Sequence, residues 1–165
     1  MVSGLYTLDE LRQTIAADPQ RWRPLVFTNG CFDLIHAGHV RYLQVARSLG
    51  KALVVGLNSD RSVQAIKPQA VGLPPRPIVP EQQRAEVLAA LRAVDGVVIF
   101  AETTASQLLD SLQPDIYVKG GDYKLETLPE AAIVQAYGGH IELVQIEVPS
   151  STSAIVKRIL ATNVT

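Results

Sequence analysis

The segment Thr28-Asn29-Gly30-Cys31-Phe32-Asp33-Leu34-Ile35-His36-Ala37-Gly38-His39 concentrates residue types that can do chemistry. His36 and His39 are three apart where a helix is expected to begin, so both rings can face one side. Gly38 between them lets a ligand approach the backbone, and the first turn of a helix offers N–H groups suited to phosphate. Gly30 supplies a tight turn directly after an apolar run. The chemistry this favours is stabilisation of charge on phosphate. Two histidines in an ordinary surface turn share the spacing, so their place in the fold decides.

A second group, Ser151-Thr152-Ser153, can bind phosphate with hydroxyls and helix N-terminal N–H groups together. A plain N-cap is the alternative. Cys31 is the one cysteine, which excludes an intrachain disulfide and fits a reducing compartment. No partner base for it is identifiable, so a small buried residue is preferred to a nucleophile. Asp33 is expected to order its own turn through a local side-chain bond. His140 is expected in a loop or at a sheet edge. One cysteine and scattered carboxylates give no structural metal site.

These groups need a scaffold, and the hydrophobic pattern supplies one. Apolar, β-prone runs predict strands over 25–28, 52–57, 97–100, 115–118 and 141–146. Thr7 and Glu10 form a capping-box pattern that predicts a helix over 8–17, stopped by Pro19. Further helices are expected over 37–50, with Val40, Leu43 and Ala46 on one face, and over 81–93, 105–112 and 129–137. A last helix, capped by Ser151-Thr152, would turn Ile155 and Ile159 inward. Asn58-Ser59-Asp60 reads as a polar turn. It leads into an irregular loop that holds five of the ten prolines.

Alternating strands and helices imply an α/β fold: a single Rossmann-like three-layer sandwich with a five-stranded parallel sheet. The 165 residues suit one domain, 1–165, with an N-terminal helical extension over 1–24 and a proline-rich loop over 67–79. Ligands of such sheets bind beyond the carboxyl ends of the strands, after Thr28, Leu57, Val118 and Ile146. With 15 basic and 16 acidic residues the charge is balanced, which argues against a nucleic-acid surface. No leader-like or spanning apolar run occurs, so a cytoplasmic protein without membrane contact is expected.

At this point the segment around His36-Ala37-Gly38-His39 resembles the H-x-G-H motif of the nucleotidyltransferase superfamily. Its flanks, Phe27-Thr28-Asn29-Gly30-Cys31-Phe32-Asp33 and Val40-Arg41-Tyr42-Leu43, are similar to the adenylyltransferase domain of the bacterial heptose-phosphate enzymes. Val54 to Asp60, Arg76-Pro77-Ile78, Arg84 to Leu88, Val118-Lys119-Gly120-Gly121-Asp122-Tyr123 and Ser151 to Ile155 extend the resemblance from Val26 to Leu160.

The resemblance implies transfer of AMP from ATP to a sugar phosphate, D-glycero-β-D-manno-heptose 1-phosphate, with release of pyrophosphate. It implies that His36, His39 and Lys67 act on the triphosphate. Phe27 to Phe32, Gly38, Gly120, Asp122 and Ser151 to Ser153 would line the nucleotide site. Asp33, Asn58, Asp60, Arg76 and Lys119 are assigned to the acceptor side. Magnesium is expected on the triphosphate itself, and a separate kinase would supply the sugar phosphate; a homodimer is left open. Two features depart from the family pattern: Ala154 stands where arginine is frequent, and the loop from Lys67 to Arg76 is longer and richer in proline. A glycerol-3-phosphate cytidylyltransferase, or a noncatalytic nucleotide-binding module, would carry the same histidine pair.

Overall fold

Six parallel strands form one sheet in the order β1-β4-β3-β2-β5-β6 in the computed structural model, which describes residues 3–67, 69–121, 123–145 and 151–161. The strands are β1 (Leu5–Tyr6), β2 (Leu25–Gly30), β3 (Ala52–Asn58), β4 (Gly96–Phe100), β5 (Ile116–Gly120) and β6 (His140–Val144). Five of them are the predicted ones; the part of the fifth at Ile146 lies outside the described residues. The sixth corrects the expected count. Leu5 and Tyr6 pair with Val97 and Val98, a two-residue contact too short to leave a hydrophobic period.

The helices are α1 (Leu8–Ala17), α2 (Pro19–Trp22), α3 (Ala37–Ser48), α4 (Asp60–Ile66), α5 (Glu81–Ala89), α6 (Ser106–Leu112), α7 (Ala131–Ala136) and α8 (Thr152–Ala161). α1 starts as the capping box requires, with Thr7 and Glu10 bonded reciprocally. Pro19 does not simply stop it. Asp18 accepts the Arg21 N–H at 3.1 Å, and Pro19 opens the short α2 from its first position. Likewise Ser59 is an N-cap rather than part of a plain turn, and α4 follows it. α5 ends at Ala89, before the expected 93. Turn bonds then bring Asp95 back to accept the Leu53 N–H at 2.8 Å and to pair with Arg47.

β3 is buried throughout, as a central parallel strand must be. Its residues divide by alternation: Ala52 and Val54 join one core, Leu53, Val55 and Leu57 the other. The first core takes Leu11 and Ile15 from α1, Leu108, Leu109 and Leu112 from α6, and Val134 from α7. The second takes Leu43 and Ala46 from α3 and Ala85 and Leu88 from α5. Three layers result. In α8 only Thr152 and Val156 are buried, and every described residue after Val156 is exposed, so Ile159 does not face inward as expected. His140 opens the edge strand β6, exposed, as anticipated.

The chain runs β2, β3, β4 toward one edge and then returns to place β5 and β6 on the other side of β2. The switch in strand order therefore lies between β2 and β5. A ligand crevice is expected there, beyond the strand ends.

Candidate active site

At the switch point opens a cleft of about 750 Å³. The turn after β2 gives it Asn29, Gly30, Cys31, Phe32 and Asp33, and the start of α3 gives His36, Gly38 and His39. Asn58, Lys67 and Arg76 line it on one side, Lys119 and Gly120 on the other, and Ser151, Thr152 and Ser153 close it. Sixteen of the twenty residues named from sequence thus converge. Asp122 lies outside the described residues.

Three do not line the cleft. Phe27 is fully buried, its ring packed 6.1 Å from that of Tyr117 in the core. Thr28 is also fully buried, with its hydroxyl 2.7 Å from that of Tyr42. The two side chains leave β2 on opposite faces, and both are buried because helices cover the sheet on both sides. Asp60 is occupied by Arg84, at 2.7 Å from its guanidinium.

The histidine pair is fixed by the helix it begins. His36 is the N-cap, and its Nδ1 accepts the Gly38 N–H at 3.1 Å. His39 Nδ1 accepts the His36 N–H at 3.4 Å, a capping box built from two imidazoles. Both Nδ1 atoms being acceptors, each ring carries its proton on Nε2. The ring centroids are 4.0 Å apart. Burial, and then the neighbouring His36, push the His39 pKa down to about 4. His39 is therefore a neutral N–H donor near pH 7. The Gly38 N–H, expected to meet phosphate, is taken by the His36 ring instead.

Phe32 carries the turn in the left-handed region at φ 42°, an uncommon conformation for a side chain without a short polar tip. Its ring lies 5.5 Å from that of His39. Asp33, whose side chain is fully buried, accepts the N–H groups of Ile78 and Val79, each at 2.9 Å, and pairs with Arg76. The expected local bond is thus replaced by contacts to the far end of the proline-rich loop. Arg84, 1% exposed, donates to the carbonyls of Cys31 at 2.6 Å, Asn58 at 2.9 Å and Val79 at 2.8 Å. One buried guanidinium so joins the ends of β2, β3 and the loop.

Across the switch, Lys119 donates to Asn29 Oδ1 at 3.1 Å, and Tyr117 donates to the same oxygen at 2.7 Å. The ammonium lies 5.2 Å from the Tyr123 ring and 5.9 Å from the Tyr117 ring. Burial lowers the Lys119 pKa. Gly120 has a steric reason: a Cβ there would come within 2.7 Å of the Tyr42 ring. Tyr42 bridges the halves of the site, donating to the Val118 carbonyl at 3.1 Å. Ser151 caps α8, its Oγ accepting the Ala154 N–H at 3.1 Å. Cys31 lies half-buried in the cleft, and desolvation raises its thiol pKa.

Tyr42, Thr103, Thr104 and Glu130 also line the cleft and were missed from sequence. Tyr42 sits one turn after His39 on the same helix, a signal that was available. Thr103, Thr104 and Glu130 follow β4 and precede α7 with no motif around them; only the fold brings them in.

Fold and cleft together define a domain of the nucleotidyltransferase class. More narrowly, the chain belongs to the cytidylyltransferase-like family, whose sequence profile matches residues 27–163. It is 49% identical over 152 residues to the bifunctional protein HldE of Syntrophotalea carbinolica, covering 92% of this chain and 30% of that protein. With the bifunctional protein HldE of Citrifermentans bemidjiense the identity is 48% over 159 residues, covering 96% and 32%. The chain thus spans about a third of the length of the curated relatives it matches. The crystal structure of the lipopolysaccharide core biosynthesis protein from Thermoplasma volcanium superposes with a TM-score of 0.60 at 26% identity, covering 76% of this chain and 97% of that one.

Proposed function

We propose that this chain transfers AMP from ATP to D-glycero-β-D-manno-heptose 1-phosphate, forming ADP-heptose and pyrophosphate. The observation that carries the reading is the histidine pair itself: His36 and His39 line the cleft at the switch point of the sheet with ring centroids 4.0 Å apart, each Nδ1 tied to a backbone N–H. The sequence similarity to the bifunctional HldE proteins supports the heptose phosphate as acceptor.

A phosphate oxygen of the acceptor is already anionic and attacks the α-phosphorus in line. The bond from the α-phosphorus to the bridging oxygen breaks, and pyrophosphate leaves with the electron pair. No general base is required, so the residues act by positioning and by neutralising charge as it spreads. His36 and His39 donate to the triphosphate, and Lys67 at the end of α4 clamps it. Ser151 to Ser153 hold phosphate at the opposite wall, and Lys119 faces the acceptor phosphate. Magnesium arrives as part of the nucleotide substrate, on phosphate oxygens. Among the described residues no group of three or more His, Cys, Asp or Glu side chains is placed to hold a metal ion.

No helix among the described residues is long and apolar enough to cross a membrane. The acceptor must come from an enzyme that phosphorylates the sugar at its anomeric position. Incubation with ATP or CTP and with heptose 1-phosphate or glycerol 3-phosphate, reading pyrophosphate, tests the proposal. Release only with CTP and glycerol 3-phosphate would replace it with the cytidylyltransferase reading. No release with any pair would favour a binding module.

A further inference from the structure

The steps above leave one buried acid of the cleft unused. Glu130, next to the start of α7, is 3% exposed and yet lines the cleft. Its Oε1 accepts the Ala105 N–H at 3.3 Å, while Oε2 is buried with no hydrogen-bond partner. An unpaired carboxylate oxygen inside a protein is costly and calls for an explanation.

The surroundings narrow what Oε2 can receive. Thr103 and Thr104 line the cleft with it. The two donors near Glu130 are both engaged with Asn29 Oδ1, the Tyr117 phenol at 2.7 Å and the Lys119 ammonium at 3.1 Å; burial and then the charge and hydrogen bonding of Glu130 hold the phenol protonated. A carboxylate repels phosphate, so this corner serves another part of the substrates than His36, His39 and Lys67 do. Both substrates of the proposed reaction carry neutral O–H donors on their sugars, which a carboxylate oxygen accepts without charge repulsion.

We propose that Glu130 Oε2 accepts hydrogen bonds from sugar hydroxyls bound in this cleft, making it a specificity-determining residue. The hydroxyls belong to the acceptor sugar or to the ribose of the triphosphate, two sources with the same chemistry. The proposal rests on the nucleotidyl-transfer reading but not on the heptose: whichever phosphorylated acceptor the wild type uses serves for the test.

Glu130→Gln keeps the side chain's size and a carbonyl for the Ala105 N–H, but offers an amide donor where Oε2 accepted. Pyrophosphate release should show KM for one substrate raised about tenfold or more, the scale of one lost charged hydrogen bond. A rise for the acceptor, with loss of the wild type's discrimination against deoxy analogues of it, assigns the hydroxyls to the acceptor. A rise for ATP, with loss of discrimination against 2′-deoxy- and 3′-deoxy-ATP, assigns them to the ribose. Both KM values within twofold of wild type would overturn the proposal. Should the variant fail to fold, the wild type decides alone: penalties with the deoxy substrates support the assignment, and equal use of all of them overturns it. Absence of wild-type turnover with heptose 1-phosphate would count against the functional reading only.

Discussion

The two helix starts that face the cleft are built in opposite ways. Behind α3, Asp33 and Arg84 reach groups 43 to 53 residues away in sequence, and both charges are buried. At the start of α8 the cap bonds are local: Ser151 accepts the Ala154 N–H through its hydroxyl and the Ile155 N–H through its carbonyl. One wall is set by long-range buried charge; at the other, the cap bonds of Ser151 stay within the first turn of α8. The histidines stand on the wall anchored at long range, the placement that stabilising developing charge in the proposed transfer calls for.

The largest effect should come from the anchor itself. Arg84→Met strips the donor from the carbonyls of Cys31, Asn58 and Val79 and leaves Asp60 unpaired. A loss of roughly 3–5 kcal/mol in urea unfolding is expected, the scale of a broken buried ionic network. Ser151→Ala removes one N-cap and should cost about 1 kcal/mol. Equal losses would end the contrast between the two walls.

Next in size is His36→Ala, expected to lose at least ~2 kcal/mol of transition-state stabilisation, about thirtyfold in kcat. The measurement is steady-state pyrophosphate release at saturating ATP. Turnover close to wild type would take His36 out of the mechanism and leave the anchored wall without its assigned purpose.

The contrast also explains what could be read in advance. Continuous apolar runs such as Leu53 to Leu57 announce a strand buried on both faces, and the order of elements then points to the crevice at the end of β2. The H-x-G-H spacing, standing directly after that strand, made the histidines legible. What could not be read was contact between distant positions. Asp33 appeared to belong to its own turn because its real partners, Arg76, Ile78 and Val79, lie beyond a proline-rich loop. Thr28 appeared to face a ligand because a motif shows adjacency in sequence, whereas the pleat decides which face each residue takes. β1 and Glu130 had no local signal at all.

A smaller effect depends on pH. His39 has its pKa lowered to about 4 in the folded protein, against about 6.5 for a free imidazole. The unfolded chain therefore binds more protons between these values, and stability rises with pH there. The contribution is complete above about pH 6.5 and fades as pH falls toward and through 4. Urea titrations across that window should show the slope in wild type and a shallower one in His39→Gln. An NMR titration placing the His39 pKa near 6.5 would show that the anchored wall does not hold this ring neutral by burial.

The smallest effect is expected at Cys31, which lies within the anchored wall but contributes to it through its backbone. Its carbonyl accepts from Arg84, and serine at the same position keeps that carbonyl. Burial raises the thiol pKa, so the sulfur is held as a poorly nucleophilic thiol and not as thiolate. In-line attack by an anionic phosphate requires no covalent enzyme intermediate. Cys31→Ser should therefore leave kcat within about twofold, well under the 1.4 kcal/mol that a tenfold change represents. A thousandfold loss would make the sulfur a participant, and the anchored wall would then serve to hold a nucleophile as well as a pair of donors.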